Sequence, residues 1–240
     1  MAKSKIEWCD ATINPVKGLC PMACSYCYAR RMYKRFKWNP EIRFDWSVAN
    51  DLARMKPKSR VFWGSTFELF HSLVDPEWQR LIFEAVKRHP ELTHIFLTKQ
   101  PQNLIKWSPF PENCWVGASA TTKGAAWNAD KYLSFIEAKV KFLSLEPLLE
   151  WSAGDFGGSF LERDNHINWL IIGQQTPVSA KTQPKIEWIQ EIVEAADKAG
   201  VPVFLKDNLK PLILDNKNYM RCKMLITWAG NLRQELPHGR

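Results

Sequence analysis

With 240 residues, 45% of them apolar and 24% charged, the chain has the make-up of a globular protein able to bury one sizeable α/β core. Its longest apolar runs, such as 169–173 and 201–205, are too short to cross a bilayer, and the start Met1-Ala-Lys-Ser-Lys-Ile-Glu-Trp lacks an apolar signal core; a cytoplasmic protein with no membrane partner is expected. Lys and Arg outnumber Asp and Glu by 33 to 25, a formal net charge of +8 with a pI near 9.2, which favours anionic partners.

The run Ile6-Glu-Trp-Cys-Asp-Ala-Thr-Ile-Asn-Pro reads as an extended piece with one strand near 11–16, and Asp10 and Asn14-Pro15 supply turn chemistry. Next comes Gly-Leu-Cys-Pro-Met-Ala-Cys-Ser-Tyr-Cys-Tyr-Ala-Arg-Arg over 18–31. Cys20, Cys24 and Cys27 are spaced C-x3-C-x2-C, with Tyr26 and Tyr28 flanking the third cysteine and Pro21 stiffening the loop. Most electron-transfer clusters take four cysteines. Three thiolates on one loop can hold three irons of a [4Fe–4S] cube and leave the fourth open to a reactant, as catalytic zinc sites keep an open position.

Other uses of these cysteines have to be weighed. A zinc knuckle needs a second close Cys or His pair, and Cys9, Cys114 and Cys222 stand singly while His71, His89, His94, His166 and His238 form no ligand-spaced pair. A disulfide framework does not suit a reduced compartment. Zinc and inert thiols stay open beside the cluster. The spacing resembles the signature of the radical SAM enzymes, which implies a [4Fe–4S] cluster on Cys20, Cys24 and Cys27. It also implies S-adenosylmethionine held on the open iron and Tyr26 as the aromatic residue beside the last ligand.

From Tyr28 the pattern is helical to about Lys37, stopping near Asn39-Pro40. Arg30, Arg31, Lys34, Arg35 and Lys37 interleave here with Met32, Tyr33, Phe36 and Trp38, a mixture that suits nucleic acid, with cations for phosphates and rings for bases. The competing reading is an amphipathic helix whose Met32, Tyr33 and Phe36 face the core above a solvated basic face. A second helix is expected over 47–55, capped by Ser47 and stopped before Lys56-Pro57.

A regular alternation follows. Apolar runs starting near 61, 93, 114, 140, 168 and 201 read as strands of a covered parallel sheet. Asp75-Pro76-Glu77 is a strong helix start, and the helix after it carries Trp78, Leu81, Ile82, Ala85 and Val86 on one face. The clearest later helix spans 184–199, with Ile186, Ile189, Ile192, Val193 and Ala196 facing inward and Gly200 closing it. Six or seven strands predict an α/β fold of the partial (β/α)6 barrel type rather than a closed eightfold barrel. We expect a single domain over 1–240, with a cluster loop at 18–31, a Gly-rich loop over the barrel mouth at 151–166, and a C-terminal tail after about 209.

In such folds chemistry sits where strands end. Those ends offer Gly64-Ser65-Thr66 with Glu68 and His71 beyond, Thr98-Lys99-Gln100, Ala118-Ser119, Ser144-Leu145-Glu146-Pro147, Gly173-Gln174-Gln175 and Lys206-Asp207-Asn208. The resemblance to radical SAM enzymes implies that the backbone of Gly64, Ser65 and Thr66 meets the methionine amino group of the cofactor. Glu146 suits an amino group or ribose hydroxyls, and Lys99 and Lys206 suit a carboxylate or phosphate, or one of them is the structural partner of Glu146. Ser119 and Gln174 complete the expected cofactor contacts; no catalytic residue is assigned.

Several blocks run through nearly the whole chain in order: Ile6-Glu-Trp-x-Asp-Ala-Thr-x-Asn-Pro-Val-x-Gly, Leu-Phe-His after the second strand, Leu-Thr-Lys-x-Pro, Trp-Val-Gly-x-Ser, Leu-Ser-x-Glu-Pro-Leu-Leu and Ala-Gly-Val-Pro-Val-Phe-x-Lys. Together they resemble the phage Gp37/Gp68 (DUF5131) family, whose members are regarded as radical SAM-like. The chain departs from many members at Gly173-Gln174-Gln175-Thr176-Pro177, where they carry Gly-Gly-Glu-Ser-Gly. It departs again at Lys206-Asp207-Asn208-Leu209, where they carry Lys-Gln-Trp-Gly. The resemblance implies a radical SAM enzyme with a reducing electron donor and an anionic substrate, a nucleotide or nucleic acid by charge and by similarity to spore photoproduct lyase, which shares C-x3-C-x2-C. The alternative is a metal-stapled basic nucleic-acid-binding protein without turnover.

Overall fold

Short runs of β-branched and aromatic residues bounded by turn chemistry form strands where the expectation puts them. In the computed structural model, which describes residues 4–151, 161, 166–214 and 222–237, they are β1 (Ala11–Ile13), β4 (Arg60–Trp63), β5 (Thr93–Thr98), β6 (Cys114–Ser119), β7 (Val140–Leu145), β8 (Trp169–Ile172) and β9 (Val203–Leu205). They make one seven-stranded parallel sheet in the order β1-β4-β5-β6-β7-β8-β9. Register pairs Ala11 with Val61, Val61 with His94, Leu143 with Leu170, and Ile171 with Phe204. Strands that follow one another in sheet order as in sequence mark successive βα crossovers. A separate antiparallel pair joins β2 (Val16–Lys17) to β3 (Arg43–Phe44).

The chain divides into two compact units, 1–116 with 136–139, and 117–135 with 140–240. In the first, Trp63, Phe70, Phe96 and Ile95 are buried, and helix α2 (Pro76–Arg88) lays Ile82, Phe83, Ala85 and Val86 on the core. Asp75 caps α2 by accepting from the Glu77 N–H, as its sequence predicts. Helix α1 (Tyr28–Phe36) also follows expectation. The segment expected as a helix over 47–55 is instead a 3₁₀ helix, Trp46–Arg54. Its cap is Asp45 rather than Ser47: the Asp45 carboxylate accepts the Ser47 N–H and hydroxyl and so takes the cap position two residues earlier.

In the second unit, Phe142, Trp169 and Leu170 are buried, α3 (Lys123–Ser134) packs on β7, and α4 (Ile186–Ala199) buries Ile189, Ile192, Val193 and Ala196. Gly200 closes α4 with a left-handed φ of 68°. Residues 222–237, beyond the expected start of a tail, fold back onto β9. Leu205 donates to the Arg233 carbonyl at 2.7 Å, Glu235 donates to the Val203 carbonyl at 3.0 Å, and the Trp169 indole donates to the Glu235 carbonyl at 2.8 Å. That segment covers the open hydrogen-bonding edge of the sheet. Most of the expected Gly-rich loop at 151–166, its glycines included, lies outside the described residues. No described helix is long and apolar enough to cross a membrane.

Candidate cofactor site

In the first unit, the cysteine loop is built from both of its ends. Gly18 holds φ at 111°, and a Cβ there would stand 2.4 Å from the Glu41 carbonyl oxygen, so only glycine lets the loop start. Its N–H donates to the buried Tyr33 hydroxyl at 2.7 Å, while Leu19 donates to the Pro40 carbonyl at 2.8 Å, so α1 and the residues after it pin the loop entrance. At the exit, Cys27 is the N-cap of α1 and its sulfur accepts the Arg30 N–H at 3.5 Å, at the positive end of the helix dipole. The Arg30 guanidinium reaches back to the Cys20 carbonyl at 2.8 Å.

Cys20, Cys24 and Cys27 are half-buried, whereas Cys9, Cys114 and Cys222 are buried. Burial pushes the Cys114 thiol up to about 12 and raises that of Cys222 as well. For Cys20 burial also raises the pKa and is the largest effect. The N–H groups of Glu68 and Met22 oppose it, and the Glu68 carboxylate and Cys27 add to it. Among the described residues, no three His, Cys, Asp or Glu side chains already stand together at metal-binding separations. The donor set nonetheless fits a thiophilic group: three half-buried sulfurs on one loop, with Cys20 and Cys27 near enough to interact electrostatically. To hold one, the loop must draw its sulfurs together.

Around this loop the ends of β1 and β4 are tied to each other. The Asn14 side-chain oxygen accepts the Ser65 hydroxyl and the Thr66 N–H, both at 3.1 Å, and the Tyr28 hydroxyl donates to the Ser65 carbonyl at 2.8 Å. Gly64 turns with φ of 75°, in a space that a Cβ would contest with Leu69 and the Phe67 carbonyl. Beyond it Glu68 is buried. One carboxylate oxygen accepts from the Thr98 hydroxyl at 2.6 Å and the Phe70 N–H at 3.2 Å, and the other accepts from the Lys99 N–H at 2.7 Å. Burial pushes its pKa up against these hydrogen bonds and the Lys99 charge. The Lys99 ammonium lies over the Tyr26 ring, 5.4 Å from its centroid. Tyr26, Gly64, Ser65, Thr66 and Lys99 thus all belong to the unit that carries the cysteines.

The other expected contacts belong to the second unit. Glu146 and Lys206 form an ion pair, which settles which lysine is its structural partner. The Ser119 hydroxyl donates to the Glu146 carbonyl at 3.3 Å. The bridge passes close above Gly173, where a Cβ would come 3.0 Å from Lys206 Cδ and 3.3 Å from Glu146 Cγ. Gln174 is locked to Asn208: its N–H donates to the Asn208 side-chain oxygen, the Asn208 amide donates back to its carbonyl, and its own side-chain amide donates to the Asn208 carbonyl. The Gln174 Oε1 atom is buried with no partner among the described residues.

Sequence reasoning gave Asn14 only turn chemistry and left Glu68, Thr98 and Asn208 among the strand-end residues with no contact assigned. Glu68 alone left a legible signal, a carboxylate set among Phe67, Leu69 and Phe70.

A family model described as a protein of unknown function, DUF5131, matches residues 3–212. The chain belongs to the DUF5131 family. No curated protein and no solved structure matches it. The DUF5131 match takes in the cysteine loop, all seven strands of the parallel sheet, and both groups of strand-end residues described above.

Proposed function

We propose that this DUF5131 protein is a radical SAM enzyme built on a partial (β/α)6-type barrel, holding a [4Fe–4S] cluster through Cys20, Cys24 and Cys27. The observation that carries the reading is the contrast among the six thiols: the three in C-x3-C-x2-C are half-buried on one pinned loop, and the other three are sealed in the core. Held by Cys20, Cys24 and Cys27, the cluster would supply one electron from a donor to cleave S-adenosylmethionine into methionine and a radical able to take hydrogen from an anionic substrate.

The chain's own residues serve that chemistry by holding and shielding. Gly18, Tyr33 and Arg30 fix the two ends of the loop, so only its middle must adjust to the irons. The Glu68 and Met22 N–H groups donate toward the Cys20 sulfur and stabilise its negative charge. Tyr26 and Lys99 cover one side of the loop with a ring and an ammonium. In the second unit, Glu146 and Lys206 offer one acidic and one basic partner to a zwitterion: an ammonium replaces Lys206 at Glu146, and a carboxylate replaces Glu146 at Lys206. Ser119 ties the Glu146 backbone, and Gly173 leaves room for the pair above it.

The test is anaerobic purification, reconstitution with iron and sulfide, reduction with dithionite and addition of S-adenosylmethionine, with 5′-deoxyadenosine read by mass spectrometry. A brown, air-sensitive protein that forms deoxyadenosine, against none from Cys24→Ala, is expected. A colourless, zinc-containing protein with no affinity for S-adenosylmethionine would replace this reading with that of a metal-stapled binding module.

A further inference from the structure

The far end of α1 departs from its own periodicity. Ala29 and Tyr33 are buried, so Phe36, seven residues beyond Ala29, should continue that face into the core. It does not: Phe36 is 51% exposed and Trp38 45% exposed. The expected amphipathic reading therefore fails at Phe36, while Tyr33 stays buried and Met32 half-buried. Lys37 ends the helix with a left-handed φ of 50°, uncommon for a side chain with a Cβ, and Trp38 donates to the Tyr33 carbonyl at 3.3 Å. This turn folds Trp38 back so that its ring stacks on Phe36, with centroids 5.4 Å apart and planes 23° apart. The Tyr33 ring supports Trp38 edge-on at 5.4 Å, and the Arg35 guanidinium sits 5.3 Å from the Phe36 centroid.

Charge along the chain from Ala11 up to the rings has one sign, and Glu41 is the first acid after them. Residues 11–40 contain no Asp or Glu, against Lys17, Arg30, Arg31, Lys34, Arg35 and Lys37. Arg31, Lys34, Arg35 and Lys37 are exposed. Two stacked, exposed rings among cations form a platform for flat apolar faces joined by anions. Bases inside a duplex already stack on each other, so the ligand that matches is one with unpaired bases. A membrane interface calls instead for a broad apolar helix face, which α1 lacks, since its outward side is cationic.

We infer that Phe36, Trp38, Lys34, Arg35 and Lys37 form a binding platform for single-stranded nucleic acid. The same helix begins at Cys27 and is nine residues long, so the platform stands roughly 13 Å along α1 from the third cysteine. The binding stands on the platform alone; that the bound strand is also the substrate rests on the radical SAM reading.

The test is fluorescence anisotropy with labelled oligo(dT) and oligo(U) of about 15 nucleotides and a duplex of the same length, at several salt concentrations, alongside the deoxyadenosine assay. Binding of the single strands over the duplex is expected, weakening steeply from about 50 to 200 mM salt. Phe36→Ala with Trp38→Ala weakens it about tenfold or more, whereas Trp38→Phe, which keeps a ring, retains it within about threefold. Lys34→Gln with Arg35→Gln flattens the salt slope. Circular dichroism melts confirm that each exposed variant still folds. Preference between the two oligomers tells RNA from DNA. No binding, binding indifferent to the ring deletions, or binding only to anionic vesicles would overturn the platform. A native protein that binds no oligonucleotide yet forms deoxyadenosine refutes the platform alone, and a native protein that binds it as expected but forms no deoxyadenosine refutes the cofactor reading alone.

Discussion

Two strand-end carboxylates, one in each unit, are held by different means. Glu68 in the first unit is buried and takes its hydrogen bonds from the Phe70 and Lys99 N–H groups and the Thr98 hydroxyl. Glu146 in the second unit stays partly exposed and is held by the Lys206 ammonium. Backbone donors are fixed in place by the fold, whereas a lysine side chain swings away on rotatable bonds. Glu68 is therefore a rigid joint, and Glu146 a partner able to exchange one cation for another. His94, in the same unit as Glu68, follows the first pattern: buried, it accepts the Trp63 indole N–H at 3.0 Å and pairs with the His89 carbonyl at 3.1 Å.

Breaking the rigid joint should have the largest effect on stability. Glu68→Ala leaves three buried donors without an acceptor and opens a small cavity, for a loss of about 4 kcal/mol in urea unfolding. Glu68→Gln keeps the oxygen that faces Thr98 and Phe70 and sets an N–H against the Lys99 N–H, so about 1–2 kcal/mol is expected. Equal losses in the two variants would mean that the carboxylate's charge matters more than its hydrogen bonds, and the contrast with Glu146 would fail.

Next in size is a pH effect. Burial pushes the His94 pKa down to about 4, while the unfolded side chain titrates near 6.5. The folded state thus resists a proton that the unfolded state accepts. His94's contribution is intact above about pH 6.5, falls as the pH drops toward 4 by about 3 kcal/mol in total, and is level below that. Gln at this position retains one acceptor for Trp63 and one donor for the His89 carbonyl. Urea midpoints at neutral and acid pH should show the native protein losing about 3 kcal/mol more than His94→Gln. A constant gap between the two would place the proton elsewhere.

The strands of the parallel sheet and helices α1, α2 and α4 were legible because they follow from local pattern: apolar runs, Asp75-Pro76 at a helix start, Gly200 at a helix end; α3 gave no such signal. The cysteine spacing and the polar strand ends were equally local. What the sequence hid depends on three-dimensional neighbours. Nothing near Glu68 in the chain points to Thr98 or Lys99, about thirty residues away, as its donors. The choice between Lys99 and Lys206 for Glu146 needed the fold, because both close apolar runs in the same manner. Phe36 misled for the opposite reason: its helical period points inward, but the turn at Lys37 and the ring of Trp38 hold it at the surface.

The smallest effect is expected at the exchangeable pair. Side-chain exposures of 14% for Lys206 and 25% for Glu146 leave water to screen much of the attraction. Lys206→Met removes the ammonium from a carboxylate that water can partly reach, and Glu146→Gln removes one anionic partner of the ammonium, so each single change should cost about 1–2 kcal/mol. The double variant should cost less than the two together, with a coupling of about 1 kcal/mol that shrinks as salt is raised. Glu68 offers such a cycle only at Thr98, since its other two donors are backbone N–H groups that side-chain truncation leaves in place. A coupling near zero would mean that the Glu146–Lys206 contact contributes no stability, and it would then be a pair of solvated charges rather than a counterpart to the rigid joint.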